Sequence, residues 1–152
     1  MTATSDANEV IEAVNSLEAN KGGDCPEQGM TGLYKALLQS VQDSVIHYFS
    51  DADVKDFELA QVVLILAKQK RVKINFILSG RCRFSRRRRS TREEPRLGSQ
   101  DLFRSLAAAT GGQVLKTKKN KVSVLVDIIG SKSYASDNRD LTEVTKYQWL
   151  IL

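Results

Sequence analysis

Histidine is almost absent from this 152-residue chain, with His47 alone, and proline occurs only as Pro26 and Pro95. The lone histidine sits inside an apolar stretch, SVIHYFS at 44–50, where it reads as a core residue and not as half of a catalytic dyad. No G-x-S-x-G nucleophile motif and no phosphate-binding glycine loop is present, so the sequence reads as a non-enzyme. Two cysteines, Cys25 and Cys82, are too few to declare a disulfide framework and lack the spacing of a zinc site. On the residues alone, two free or buried thiols stay as open as a pair. No apolar run approaches the roughly 18 residues of a membrane-spanning helix. The start, MTATSDANEV, lacks the basic and apolar regions of a secretory signal, which as written leaves the product in the cytosol.

What is present begins with ordinary globular composition, 41% hydrophobic and 27% charged, in a length that suits one domain with a real core. The formal net charge of +5 is local. Residues 81–96, RCRFSRRRRSTREEPR, hold eight arginines and two glutamates, so this segment carries +6 and the remainder −1. No internal repeat is visible.

Helical apolar spacing predicts a first helix over 7–20 through Val10, Ile11, Val14 and Leu17, with Ser5 or Asp6 as cap and Gly22-Gly23 after it. A second follows over about 31–42 on the stripe Leu33, Ala36, Leu37 and Val41. The β-branched and aromatic run 44–50 predicts a strand, and VKINFILSG at 72–80 a second one, with the continuous apolar character of a parallel strand covered on both faces. Between them, 54–70 reads as one long helix and the most buried of all. Leu102, Phe103, Leu106 and Ala107 mark a further helix ended by Gly111-Gly112. Residues 113–116 are a short strand candidate, and 122–129 a last helix. Helix, helix, strand, helix, strand, helix, strand, helix is the order of an α/β fold with a parallel sheet.

Ligands of such sheets bind at the carboxyl ends of the strands. The acidic pairs in those loops are Asp51 with Asp53, after the first strand, and Asp24 with Glu27, in the turn before a helix. Mg²⁺ takes oxygen ligands and commonly keeps waters beside one or two carboxylates, which two loops donating one carboxylate each can supply. The plainer alternative is that Asp51 and Asp53 cap a helix starting at Val54.

These residues resemble the von Willebrand factor A domain, in particular the hemicentin-like type, over about 7–129. The likeness rests on GGDCPE at 22–27, HYFSDADVKDFEL at 47–59, INFILSGRC at 74–82 and AAATGGQV at 107–114, in the family's order. The resemblance implies a partial Rossmann-like fold with helices on both faces of a parallel sheet. It also implies a metal-ion-dependent adhesion site, in which Mg²⁺ or another divalent cation bridges to an acidic group on a matrix or cell-surface protein. Asp51 matches the family's aspartate after its fourth strand. DCPE at 24–27 is similar to the DSPE stretch in the A-like domains of β integrins, which implies Glu27 as a metal ligand and Asp24 as a ligand of a neighbouring cation. Cys25 and Cys82 match positions that carry cysteines in hemicentin-like A domains, which implies a disulfide worth about 4 kcal/mol in the loop-entropy picture and an oxidising, extracellular setting within a longer secreted protein.

The family's Asp-x-Ser-x-Ser motif at the end of its first strand occurs nowhere here, and the first three strands are missing. The chain therefore reads as a partial domain over 1–130, with a basic loop at 81–98 and a divergent tail at 131–152: a fragment or a degenerate copy. Without its first-strand neighbour, strand 44–50 is expected to expose an edge that pairs with another chain. The tail's end, YQWLIL, either packs back on the sheet or exposes an apolar patch. The basic segment, through Arg81, Arg83, Arg86, Arg87, Arg88 and Arg89, supports a rival function, binding of a polyanion such as a heparin-like chain or nucleic acid, beside the plainer reading of a solvated loop.

Overall fold

The computed structural model describes residues 7–16, 18, 25–80, 82, 98–124 and 147–151. In chain order these form α1 (Ala7–Asn15), α2 (Gly29–Gln39), β1 (Val45–Ser50), a 3₁₀ turn (Phe57–Leu59), α3 (Ala60–Gln69), β2 (Lys73–Leu78), α4 (Ser99–Thr110), β3 (Val114–Lys116), a second 3₁₀ turn (Lys119–Lys121) and β4 (Tyr147–Ile151). The four strands make one sheet in the order β3-β2-β1-β4, with every pairing parallel. An α/β fold with a parallel sheet is thus what the periodicities specified.

One face of the sheet is built by alternation. Ile46 and Tyr48 of β1 sit beside Ile74 and Phe76 of β2 in register, and all four are fully buried. Onto them pack Met30, Leu33, Ala36 and Leu37 of α2, Val63 and Ala67 of α3, and Leu102, Phe103, Leu106 and Ala107 of α4. The rings of Tyr48, Phe76 and Phe103 form the centre, with centroids 4.8 to 5.6 Å apart in tilted pairs. On the opposite face His47 and Ile77 are also buried. Burial on both faces explains why β2 reads as a continuous apolar run. His47 is a core histidine, as expected.

Three expectations need correction. Residues 54–70 are not one helix: Val54 makes a parallel bridge to Glu27, and α3 starts only at Ala60. Nor is α3 the most buried helix. Val63 and Ala67 are its buried residues, whereas Val62 and Ile65 are 45% and 63% exposed, because only one side of it meets the core. Finally, the outer edge of β1 is not left open for another chain. Residues 45–49 pair in parallel with 147–151, so the tail returns as β4 and satisfies the backbone groups that an absent neighbour would leave bare. The end of α4 is as read, with Gly111 in the left-handed conformation at φ 72°. The helix expected over 122–129 lies outside the described residues beyond 124.

Candidate functional site

Because all four strands run parallel, their carboxyl ends share one edge. Three loops are fastened together there. The Glu27 amide donates to Asp53 O (2.8 Å), and the Lys55 amide donates to Glu27 O (2.8 Å). A disulfide joins Cys25 to Cys82, with Cα atoms 5.8 Å apart, which is the pairing the resemblance implied. Around it the Cys82 amide donates to Asp53 Oδ2 (3.2 Å), and the Asp53 amide reaches Cys82 Sγ (3.4 Å). The carboxylate of Asp53 therefore ties two loops and does not cap the following helix.

Asp56 is the residue that sequence reasoning missed. It is 6% exposed and accepts from the Met30 amide (3.1 Å), the Thr31 amide (2.7 Å) and the Thr31 hydroxyl (2.7 Å). It thus caps α2 from 25 residues away, in place of a local cap, since Gln28 makes no capping bond. The effect is to fix the first turn of α2, and with it Glu27, against the end of β1.

Glu27, Gln28, Ser50 and Asp51 line a cavity of about 240 Å³ at this edge. Ser50 Oγ accepts from the Ala52 amide (3.1 Å), shaping the turn that presents Asp51. Gly80 permits the close approach of that turn, since a Cβ there would lie 2.5 Å from Asp51 O. The Asp51 carboxylate, 47% exposed, is ion-paired with Lys119. Two residues before Ser50, Tyr48 is fully buried, and burial pushes its hydroxyl up to about 12, with the nearby Ser50 hydroxyl opposing and Asp56 and Glu27 reinforcing the shift.

Of the residues expected at a site, Glu27 and Asp51 are brought together. Asp24 and Arg81, Arg83, Arg86, Arg87, Arg88 and Arg89 lie outside the described residues. Among the described residues no three His, Cys, Asp or Glu side chains cluster as a metal cage. Glu27, Asp51 and the Ser50 hydroxyl are oxygen donors of the kind a hard cation takes, and Mg²⁺ commonly uses one or two carboxylates. No helix among the described residues is long and apolar enough to cross a membrane.

A parallel α/β domain whose carboxyl edge is shaped by fastened loops and lined by carboxylates is a ligand-binding architecture. The family is named by comparison: residues 1–119 match the von Willebrand factor A domain, and the chain belongs to that family. It is 29% identical over 136 residues to hemicentin-1 of Homo sapiens, covering 90% of this chain and 2% of that protein. It is 28% identical over 155 residues to hemicentin-2 of Mus musculus, covering 99% and 3%. It is 32% identical over 133 residues to von Willebrand factor A domain-containing protein 7 of Mus musculus, covering 84% and 14%. The chain thus spans a small fraction of the length of these relatives. No solved structure matches it.

Proposed function

We propose that the chain is a non-enzymatic adhesion or matrix-interaction module, which binds an acidic group of a protein partner at the carboxyl edge of its sheet. The observation that carries this reading is the convergence of Glu27 and Asp51, 24 positions apart in sequence, on one cavity. A divalent cation such as Mg²⁺ would be held by these two carboxylates, with Asp24 as a ligand of a neighbouring cation, and would supply the positive charge that an acidic partner needs. Glu27 is positioned for this by its backbone bridge to Val54, and Asp51 by the Ser50 turn. The Cys25–Cys82 disulfide supports an extracellular setting, since such bonds persist in oxidising compartments.

Calorimetric titration with MnCl₂ tests the reading. Binding should be measurable in the native chain and weaken at least about tenfold in Glu27→Ala and in Asp51→Ala, as expected when a ligand of a hard cation is removed. No heat of binding up to millimolar Mn²⁺ would refute it. The rival reading, a polyanion site on the arginine segment, is favoured by the concentration of eight arginines within 81–96. It requires retention on heparin that falls steeply with salt and disappears when that segment is deleted.

A further inference from the structure

The ion pair at Asp51 places a positive charge on one oxygen of a carboxylate that lines the cavity. Lys119 belongs to KTKKNK at 116–121, four lysines without an acid, which starts at the last residue of β3. The parallel sheet delivers this run to the same edge as Glu27 and Asp51. The Thr117 amide bonds to Leu78 O (2.9 Å), continuing the β3 ladder past Lys116, and the Lys121 amide bonds to Lys118 O (2.8 Å), closing the 3₁₀ turn. Neighbouring Lys116 is directed elsewhere, to Gln100 Oε1 at 2.6 Å. Lys119 is the one that meets Asp51.

We propose that Lys119 is a tethered counter-ion of Asp51, which competes with a divalent cation for that carboxylate. The inference rests on the reading of Glu27 and Asp51 as the cation-binding pair. A carboxylate oxygen held by an ammonium is not available to a metal, and two cations brought to one carboxylate repel. The pair is exchangeable, because its side chains are 74% and 47% exposed and exposed ion pairs are weak and screened by salt. Lys119 therefore weakens the site without closing it. It also keeps the edge from carrying two uncompensated carboxylates when no metal is bound. With a cation held by Asp51, the Lys119 ammonium would stand at the rim as a second positive charge toward an acidic group.

The test is calorimetric titration of MnCl₂ into the native chain, Lys119→Gln, Lys119→Arg and the Lys119→Gln, Asp51→Asn double variant, at low ionic strength. Far-UV circular dichroism confirms that each is folded, as expected for an exposed lysine. Lys119→Gln should bind Mn²⁺ about three- to tenfold more tightly than the native chain, a gain the size of one exposed charge pair plus the repulsion removed. Lys119→Arg should match the native chain, and the double variant should lose the gain. Equal affinity in the native chain and Lys119→Gln, with binding still dependent on Glu27, overturns the inference and leaves the metal site standing. No binding in either overturns both. A silent native chain beside a Lys119→Gln variant that binds through Asp51 would refute metal binding as the native chain's function while supporting Lys119 as the group that occupies Asp51.

Discussion

Removal of the Asp56 carboxylate is the perturbation whose cost is best defined. The side chain is 6% exposed and takes three hydrogen bonds at 2.7 to 3.1 Å, two of them from the amides of the first turn of α2. Asp56→Ala leaves those two amides without a partner in a region closed to water, at about 1–3 kcal/mol each. It also removes a negative charge from the positive end of the helix, worth about 0.3–1 kcal/mol. The Thr31 hydroxyl can turn to solvent and adds little. The expected loss is about 3–5 kcal/mol, a large part of the roughly 5–15 kcal/mol that holds a domain of this size. Asp56→Asn keeps one acceptor but turns an NH₂ toward a donor, so it should fall between the native chain and alanine. Thr31→Val, which removes one donor and leaves the amides bonded, should cost only about 1 kcal/mol. Urea denaturation followed by far-UV circular dichroism measures all three. A loss below about 0.5 kcal/mol for Asp56→Ala would show that α2 is capped in some other way, and the account of how Glu27 is positioned would fall with it.

Reduction of Cys25–Cys82, which closes a sequence separation of 57, should lower stability by about 4 kcal/mol in the loop-entropy picture; a thermal midpoint unchanged by dithiothreitol would contradict this. Burial holds the His47 imidazole below its ordinary 6.5. The unfolded chain then takes up a proton that the fold refuses, and stability is full above pH 6.5 and declines as pH falls below it, by at most about 1.4 kcal/mol per pH unit. Urea midpoints between about pH 7.5 and 5.5 should show that slope in the native chain and not in His47→Gln; equal slopes would exclude His47 as the cause. Deletion of 147–152 should bare the outer edge of β1 and produce concentration-dependent association in light scattering, whereas a monomer of unchanged stability would mean that β4 contributes nothing.

The elements that sequence made legible are those whose signal is local. β1 and β2 announce themselves by β-branched and aromatic residues, and α2 and α4 by apolar positions three and four apart that prove to be the buried ones. The failures share one physical cause, a partner far away in the chain. Val54 to Leu59 carries helical spacing, yet Val54 is taken by Glu27 and the Asp56 side chain by α2, so the helix begins late. The YQWLIL run is visibly a strand former, but its destination depends on a vacant position beside β1, about a hundred residues upstream. At the site, the strand order pointed to the loops that carry Asp24, Glu27, Asp51 and Asp53, and resemblance to a family singled out Glu27 and Asp51 among them. Lys119 left a signal, four lysines just after a strand, but the arginine segment carries more charge, and net charge outside that segment averages to nearly nothing.

The contacts at the carboxyl edge divide into two kinds, and the division bears on how the site works. Glu27 is held by backbone bonds to 53 and 55, its loop by the disulfide, and the adjoining helix by Asp56, all part of the folded frame. Asp51 stands on the Ser50 turn, packed closely against Gly80, while its carboxylate meets an exposed lysine. A ligand arriving here need not order any of these loops, so little of its binding free energy is lost to conformational entropy. The contact with which a cation would compete, on the proposed reading, is that of Asp51 with Lys119. If the edge binds a cation as proposed, a sequence without the Asp-x-Ser-x-Ser ligands of its family would offer it a half-site held by the folded frame, with a covalently tethered cation already paired to one of the two carboxylates.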